Sequence, residues 1–286
     1  MRTLILTCMG LAVAMGMPAH ADEAAPFPFF AYCIDTHDTM KRSLVEQAGL
    51  IKELGFDGVG HLWLDNVKER LETLDAAGLK LFQITIRVNM ASTEAPYEAK
   101  LKEVLPLLKD RNVQVCLLME GVPPSDRQSD AVGVKIIREL SDLAKDSGTE
   151  IILYPHVNNW LERVEDAVHV ARLVDRPNVG VMFNLCHWLK EDNEEGLKDL
   201  LKSALPWLRA VSINGADRAE EIKNGAGNWL QPLDSGSFDV AGLLDVLKEL
   251  GYTGPVGLQC WGIEGDARDH LTRSMGAWKG FQKDGK

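Results

Sequence analysis

From Phe27 onward, short β-rich apolar runs alternate with longer stretches whose apolar residues return every three to four positions. The runs Phe29-Asp35, Gly58-Trp63, Leu79-Val88, Val113-Glu120, Glu150-His156, Val179-Asn184, Leu208-Asn214 and Pro255-Trp261 are eight predicted strands. Between them, Leu44, Ala48, Ile51 and Leu54 recur at i, i+4, i+7 and i+10, as do Val164, Val168, Ala171 and Val174, and each set forms one apolar face of a helix. The helix-to-strand joins echo one another. Glu53-Leu54-Gly55-Phe56-Asp57-Gly58 returns as Glu249-Leu250-Gly251-Tyr252-Thr253-Gly254, and Ala77-Gly78-Leu79 is a shorter copy. Glycine there supplies the left-handed residue that ends a helix. Because each parallel neighbour needs a helical crossover, eight strand-helix units without polar linkers predict an α/β fold, a single (β/α)8 TIM barrel. A doubly wound open sheet is the alternative, but Gly58-Val59-Gly60 lacks the third glycine of a dinucleotide fingerprint and does not open a helix.

The first residues follow a different pattern. Arg2, the apolar stretch Leu4 to Met17 and the small-x-small Ala19-His20-Ala21 ahead of Asp22-Glu23 read as a cleavable signal peptide over 1–21, leaving 22–286 as the barrel domain of a periplasmic or secreted protein. The apolar run is shorter than the ~20 residues of a bilayer span, so stable membrane insertion is not expected. The cysteines beyond the leader, Cys33, Cys116, Cys186 and Cys260, sit in or just beyond apolar strands and match no metal spacing, so buried thiols are expected. With 31 Lys+Arg against 42 Asp+Glu, the net charge of −11 disfavours nucleic acid as a partner. A homo-oligomer is compatible with the sequence, which leaves the oligomeric state open.

In such barrels the chemistry sits at the C-terminal strand ends. The residues there are Asp35 and His37, His61, Arg87, Glu120, His156, Asn184 and His187, Asn214, and Gln259. Tryptophan adds a second signal, since Trp63, Trp160, Trp188, Trp229 and Trp261, five of the seven, follow strand ends. A rigid aromatic with a polar edge suits a sugar ring. Asp35, Arg87 and these five tryptophans are therefore the expected substrate-binding set, with loop packing as the competing role for the tryptophans. Residues 214–238, rich in Gly and Asn, form the longest irregular segment and are expected to be a binding loop.

Taken together, these residues resemble the xylose isomerase-like TIM-barrel superfamily of sugar isomerases, sugar epimerases and apurinic endonuclease relatives. The resemblance rests on Ser43-Leu44-Val45-Glu46-Gln47, on Glu53 to Val59, on Val179 to His187, on Leu233 to Asp239 and on Val256-Gly257-Leu258-Gln259. It implies a divalent metal held by a Glu ending strand five, an Asp-x-x-His at strand six, a His on strand seven and a Glu ending strand eight. This chain departs from that set. Tyr154 falls at the first Glu, Asn184 at the Asp and Gln259 at the last Glu, while His187 is kept. Reduced metal affinity follows, because hard cations favour carboxylates. A remaining divalent site, for zinc or manganese, would use His156, Asn184, His187 and Gln259.

The resemblance implies an exported enzyme acting on a sugar, keto-sugar or glycoside by proton transfer next to a carbonyl: isomerisation, epimerisation or lyase chemistry. The alternatives are a carbohydrate-binding barrel without catalysis and an endonuclease-like role, which the acidic charge opposes. Glu120, His156 and His61 are the residues able to supply a base. Glu120 is favoured, raised toward neutrality by desolvation and paired with a protonated His156 as acid. The competing reading ties Glu120 to Arg87 as a fixed ion pair.

Overall fold

The computed structural model describes residues 27–34, 37–192 and 194–282. The expected leader, Asp35 and the last four residues lie outside the described residues, so neither the expected cleavage nor the Asp35 assignment is placed. Strands β1 (Phe29–Tyr32), β2 (Gly58–Leu62), β3 (Lys80–Asn89), β4 (Gln114–Glu120), β5 (Glu150–Leu153), β6 (Val179–Asn184), β7 (Leu208–Ile213) and β8 (Val256–Gln259) pair in chain order, and β1 closes on β8. Every pairing is parallel. The (β/α)8 barrel expected from the hydrophobic pattern is the fold.

Helices α1 (Leu44–Leu54), α2 (Val67–Ala77), α3 (Leu101–Val104), α4 (Asp130–Ala144), α5 (Val164–Val174), α6 (Leu185–Glu191), α7 (Leu197–Ala204), α8 (Ala219–Lys223), α9 (Val240–Glu249) and α10 (Ala267–Phe281) form the connections. Local chemistry sets their ends. The Ser43 hydroxyl accepts from the Glu46 amide while the Glu46 carboxylate accepts from the Ser43 amide at 2.8 Å, a reciprocal cap that starts α1. Gly55, Gly78 and Gly251, the glycines of the repeated joins, have φ of 88°, 67° and 76°. No described helix is long and apolar enough to cross a membrane. Cys33, Cys116, Cys186 and Cys260 are buried thiols.

Two shells of apolar residues hold the barrel. The larger lies between strands and helices, and the smaller fills the barrel with Phe30, Tyr32, Leu62, Cys116, Leu118, Ile152, Tyr154, Met182 and Ala210. Two glycines make room for that inner column. A Cβ on Gly60 would lie 2.3 Å from the Tyr32 ring, and one on Gly257 2.7 Å from the Phe30 ring. Several strands stop earlier than their apolar runs. β5 ends at Leu153, two residues before Pro155, which has no N–H to continue the ladder. His156 therefore stands in the loop beyond β5, free of strand geometry.

Candidate active site

Side chains alternate along a strand, so the phase of each strand decides what reaches the mouth. Thr85 and Arg87 of β3, Leu118 and Glu120 of β4 and Gln259 of β8, with Tyr154 and His156 from the segment beyond β5, line a cavity of about 300 Å³ at the C-terminal end, with Tyr32, Cys33, Leu62, Trp63, His187, Trp229, Leu230 and Trp261. A groove of about 770 Å³ opens at the opposite end, where Lys80, Gln114, Glu150 and Arg209 lie. That groove is walled by groups that satisfy one another, as in the Gln114 amide bonded to Glu150 and to the Arg209 carbonyl. In barrels of this type the N-terminal face serves stability. The mouth is thus the candidate site.

Three of the expected residues belong elsewhere. On β2, Gly60 and Leu62 face the barrel, so His61 points outward under α1 and α2. Its Nδ1 accepts from Arg70 Nε at 3.3 Å and its Nε2 is 2.7 Å from the Asp65 carbonyl, while Arg70 also donates to Gln47 at 2.6 Å. His61 is a packing histidine and cannot be the base. Trp160 is 2% exposed, donates its indole N–H to the Asp126 carbonyl at 2.9 Å and lies on Gly133 of α4. Trp188 is buried between Phe183 and Phe238. The expected rim of five tryptophans is a rim of three: Trp63, Trp229 and Trp261.

Those three are held in distinct ways. Trp63 takes φ 67°, a left-handed conformation that is strained for an aromatic residue, and Arg87 lies 4.6 Å over its ring. Trp229 sits in the long loop after β7, which the Asn214 amide pins by donating to the Gly215 and Trp229 carbonyls. The Trp229 ring lies 5.5 Å from that of His187 and 4.1 Å from Lys190 Nζ. Trp261, 43% exposed, stands edge-on to His37 at 5.1 Å.

Arg87 donates to both Glu120 oxygens, at 3.0 and 3.3 Å, which is the competing arrangement expected for this pair. Glu120 is thus held in an ion pair at the mouth. The histidines also differ from expectation. Burial pushes the His156 imidazolium below its ordinary range, so at neutral pH it is a base and not the protonated acid foreseen. Its Nδ1 lies 2.8 Å from the Val157 carbonyl, which assigns the proton to Nδ1 and the lone pair to Nε2. His187 is held lower still, by burial and then by His156, whose ring is 3.8 Å away, and its Nδ1 is buried without a partner among the described residues.

Tyr154 occupies the centre of the expected metal position. Its hydroxyl accepts from Asn184 Nδ2 at 2.5 Å and from Gln259 Nε2 at 3.2 Å. The amide oxygens are engaged elsewhere, Gln259 Oε1 by the Trp261 amide and Asn184 Oδ1 by the Cys186 thiol, both at 3.1 Å. His156, Asn184, His187 and Gln259 do converge, but the amides present N–H groups where a cation needs oxygen. Among the described residues, no three His, Cys, Asp or Glu side chains are grouped to hold a metal. The donor set does not fit a divalent ion, and the zinc or manganese site expected on these four residues is corrected accordingly.

Tyr32 and Thr85, whose hydroxyls bond to each other, and Lys190 were not anticipated. Thr85 lies two residues before Arg87 on β3, and Lys190 one turn after His187 on α6, so strand and helix periodicity would have found both.

Residues 48–278 match the profile described as xylose isomerase-like TIM barrel. The chain belongs to that family. Among solved structures, a D-allulose 3-epimerase from Methylomonas sp. superposes with a TM-score of 0.71 at 19% identity, covering 89% of this chain and 98% of its own. An E. coli 3-keto-D-glucoside 4-epimerase gives 0.69 at 15%, covering 90% and 100%. A xylose isomerase-like TIM-barrel protein from Mycobacterium smegmatis, in complex with magnesium, gives 0.66 at 17%, covering 91% and 97%. No curated protein matches the sequence. At these identities the likeness is one of fold.

Proposed function

We propose that this family member is a sugar isomerase- or epimerase-like enzyme that moves a proton next to the carbonyl of a keto-sugar or keto-glycoside, with His156 as the base. The observation that carries the reading is the His156 geometry. A neutral imidazole, its Nδ1–H committed to a backbone carbonyl, has its unprotonated Nε2 in a cavity walled by Trp63, Trp229 and Trp261. A base that is unprotonated at neutral pH and shielded from bulk water can take a proton from carbon without losing to solvent. The aromatic walls suit the faces of a sugar ring, and the Arg87–Glu120 pair and Tyr154 offer hydrogen bonds to its edge. Relatives of the same fold include a D-allulose 3-epimerase in complex with D-allulose and a D-psicose 3-epimerase with D-tagatose, which supports the substrate class. The leader supports export of the mature chain to the periplasm or medium.

A second reading, a carbohydrate-binding barrel without catalysis, draws on the Glu120–Arg87 ion pair, which holds the mouth's one described carboxylate away from acid-base work. The two separate on hydrogen exchange. Purified protein is incubated in D2O with D-allulose, D-tagatose and a 3-keto-glucoside, and NMR follows the proton on the carbon beside each carbonyl. Exchange in at least one sugar, reduced by about 10²-fold or more in His156→Gln, is expected. Binding of these sugars without exchange in any would leave the binding-only reading.

A further inference from the structure

We propose that Tyr154, with Asn184 and Gln259, has replaced the cation site of this barrel by a neutral hydrogen-bond donor that holds the carbonyl oxygen of the ligand. The catalytic half of the proposal rests on the keto-sugar reading above; the exchange of cation for hydrogen-bond donor does not.

A phenolic oxygen has two lone pairs and one proton. At Tyr154 both lone pairs are taken by amide N–H groups, from Asn184 and from Gln259. The direction of the Gln259 amide is fixed from outside, since its oxygen accepts the backbone N–H of Trp261 and its nitrogen must therefore face Tyr154. The Tyr154 proton is left to donate, and no described residue accepts it. A buried donor without an acceptor is rare, because leaving it unmade forfeits a hydrogen bond in a place water reaches poorly. Tyr154 is 3% exposed, yet its side chain lines the cavity beside His156 and His187, whose rings are 5.9 and 6.0 Å from its own. An oxygen of a ligand seated in that cavity would complete the set.

The same arrangement repels a cation. Two N–H dipoles converge on the point where a divalent ion would need lone pairs, and the oxygens of both amides are already used. A carbonyl that turns into an enolate gains negative charge at its oxygen, and a fixed donor aimed there stabilises that change as a metal would. The step balances within the site. His156 Nε2 takes the proton from the carbon next to the carbonyl, the C–H electron pair forms the C=C bond, and the carbonyl π pair moves onto the oxygen held by Tyr154. Return of the proton to either face restores the carbonyl, so no oxidant or reductant enters.

The first arm of the test needs no sugar. Wild-type protein is titrated with MnCl2 in a calorimeter and melted with and without it. Neither heat of binding nor a change in Tm is expected. Stoichiometric Mn2+ binding, with a Tm raised by about 5–10 °C at roughly a hundredfold excess over Kd, would overturn the proposal. The second arm measures deuterium exchange into whichever keto-sugar the wild type accepts. Tyr154→Phe is expected to lower kcat by about 10²–10³-fold with KM nearly unchanged. Asn184→Asp, which keeps every atom of the phenol but gives its proton a carboxylate to donate to, is expected to show the same loss and covers the case of a Phe variant that fails to fold. Exchange in both variants at the wild-type rate would overturn the proposal. Absence of exchange in the wild type would fail the keto-sugar reading and the enolate step with it, while the Mn2+ arm still decides whether the cation site has been replaced.

Discussion

Replacing Trp160 by Ala separates the tryptophans that build the barrel from those that face the ligand. The Trp160 ring is almost wholly buried, and it lies so close to α4 that a Cβ on Gly133 would meet it at 2.2 Å. Its indole N–H is also committed to the Asp126 carbonyl at 2.9 Å. Removing the ring opens a cavity in a close-packed layer and leaves that carbonyl without its donor. Large-to-small changes of this kind cost about 3–5 kcal/mol, which for a domain of this size lowers Tm by about 10 °C. Trp160→Phe keeps most of the apolar surface but loses the hydrogen bond and fits the Gly133 surface less well, so a loss of about 1–2 kcal/mol is expected. Denaturant unfolding followed by circular dichroism gives both values, and quenching of the remaining tryptophans by D-allulose reports binding. Stability is expected to fall while affinity in the folded fraction holds. A Trp160→Ala protein as stable as wild type that no longer binds sugar would refute the placement of Trp160 in the core.

Trp229→Ala is expected to do the reverse, weakening sugar affinity by tenfold or more through loss of about 1.4 kcal/mol of stacking, with Tm nearly unchanged; calorimetric titration checks it. Acid should destabilise the fold through His270, which is buried on the inner face of α10 and whose imidazolium burial holds at about 4 against the pull of Asp38, Asp266 and Asp269. Neutral in both states above pH 6.5, His270 takes a proton only in the unfolded chain between pH 6.5 and about 4, so stability falls through that window by up to about 3 kcal/mol, and His270→Gln should flatten the curve. His156 and His187, also depressed by burial, add to the loss in the same direction. Mass spectrometry of protein secreted from a bacterial host should give a mature chain beginning at Asp22; an intact Met1 would remove the export assignment.

The barrel was legible because its signals are local and repeated. Each strand is an apolar run, each helix has one apolar stripe, and Gly55, Gly78 and Gly251 mark the joins by a conformation that other residues avoid. The site was legible as a set of strand ends and less so as a set of directions. His61 and Arg87 close neighbouring strands, yet one faces the helices and the other the mouth, because the β2–β3 register shifts between Val59 and Gly60. Similarly, Trp160 and Trp188 follow strand ends as Trp261 does, but where a ring goes after the last strand residue depends on a few loop dihedrals and on which helix offers a bare surface, as Gly133 does. The Glu120–Arg87 pair was foreseen as an alternative because adjacent strands in register bring such ends together. That Asn184 and Gln259 would turn their nitrogens inward was hidden, since it depends on a backbone N–H at Trp261 and a thiol at Cys186 claiming the oxygens.

The most direct measurement is deuterium exchange into a keto-sugar by wild-type protein stripped of metal with EDTA and shown by elemental analysis to hold none. If the site moves protons with His156 and its own hydrogen-bond donors, exchange continues at the untreated rate and is lost in His156→Gln. Exchange that vanishes on stripping and returns with Mn2+ or Zn2+ would contradict the account.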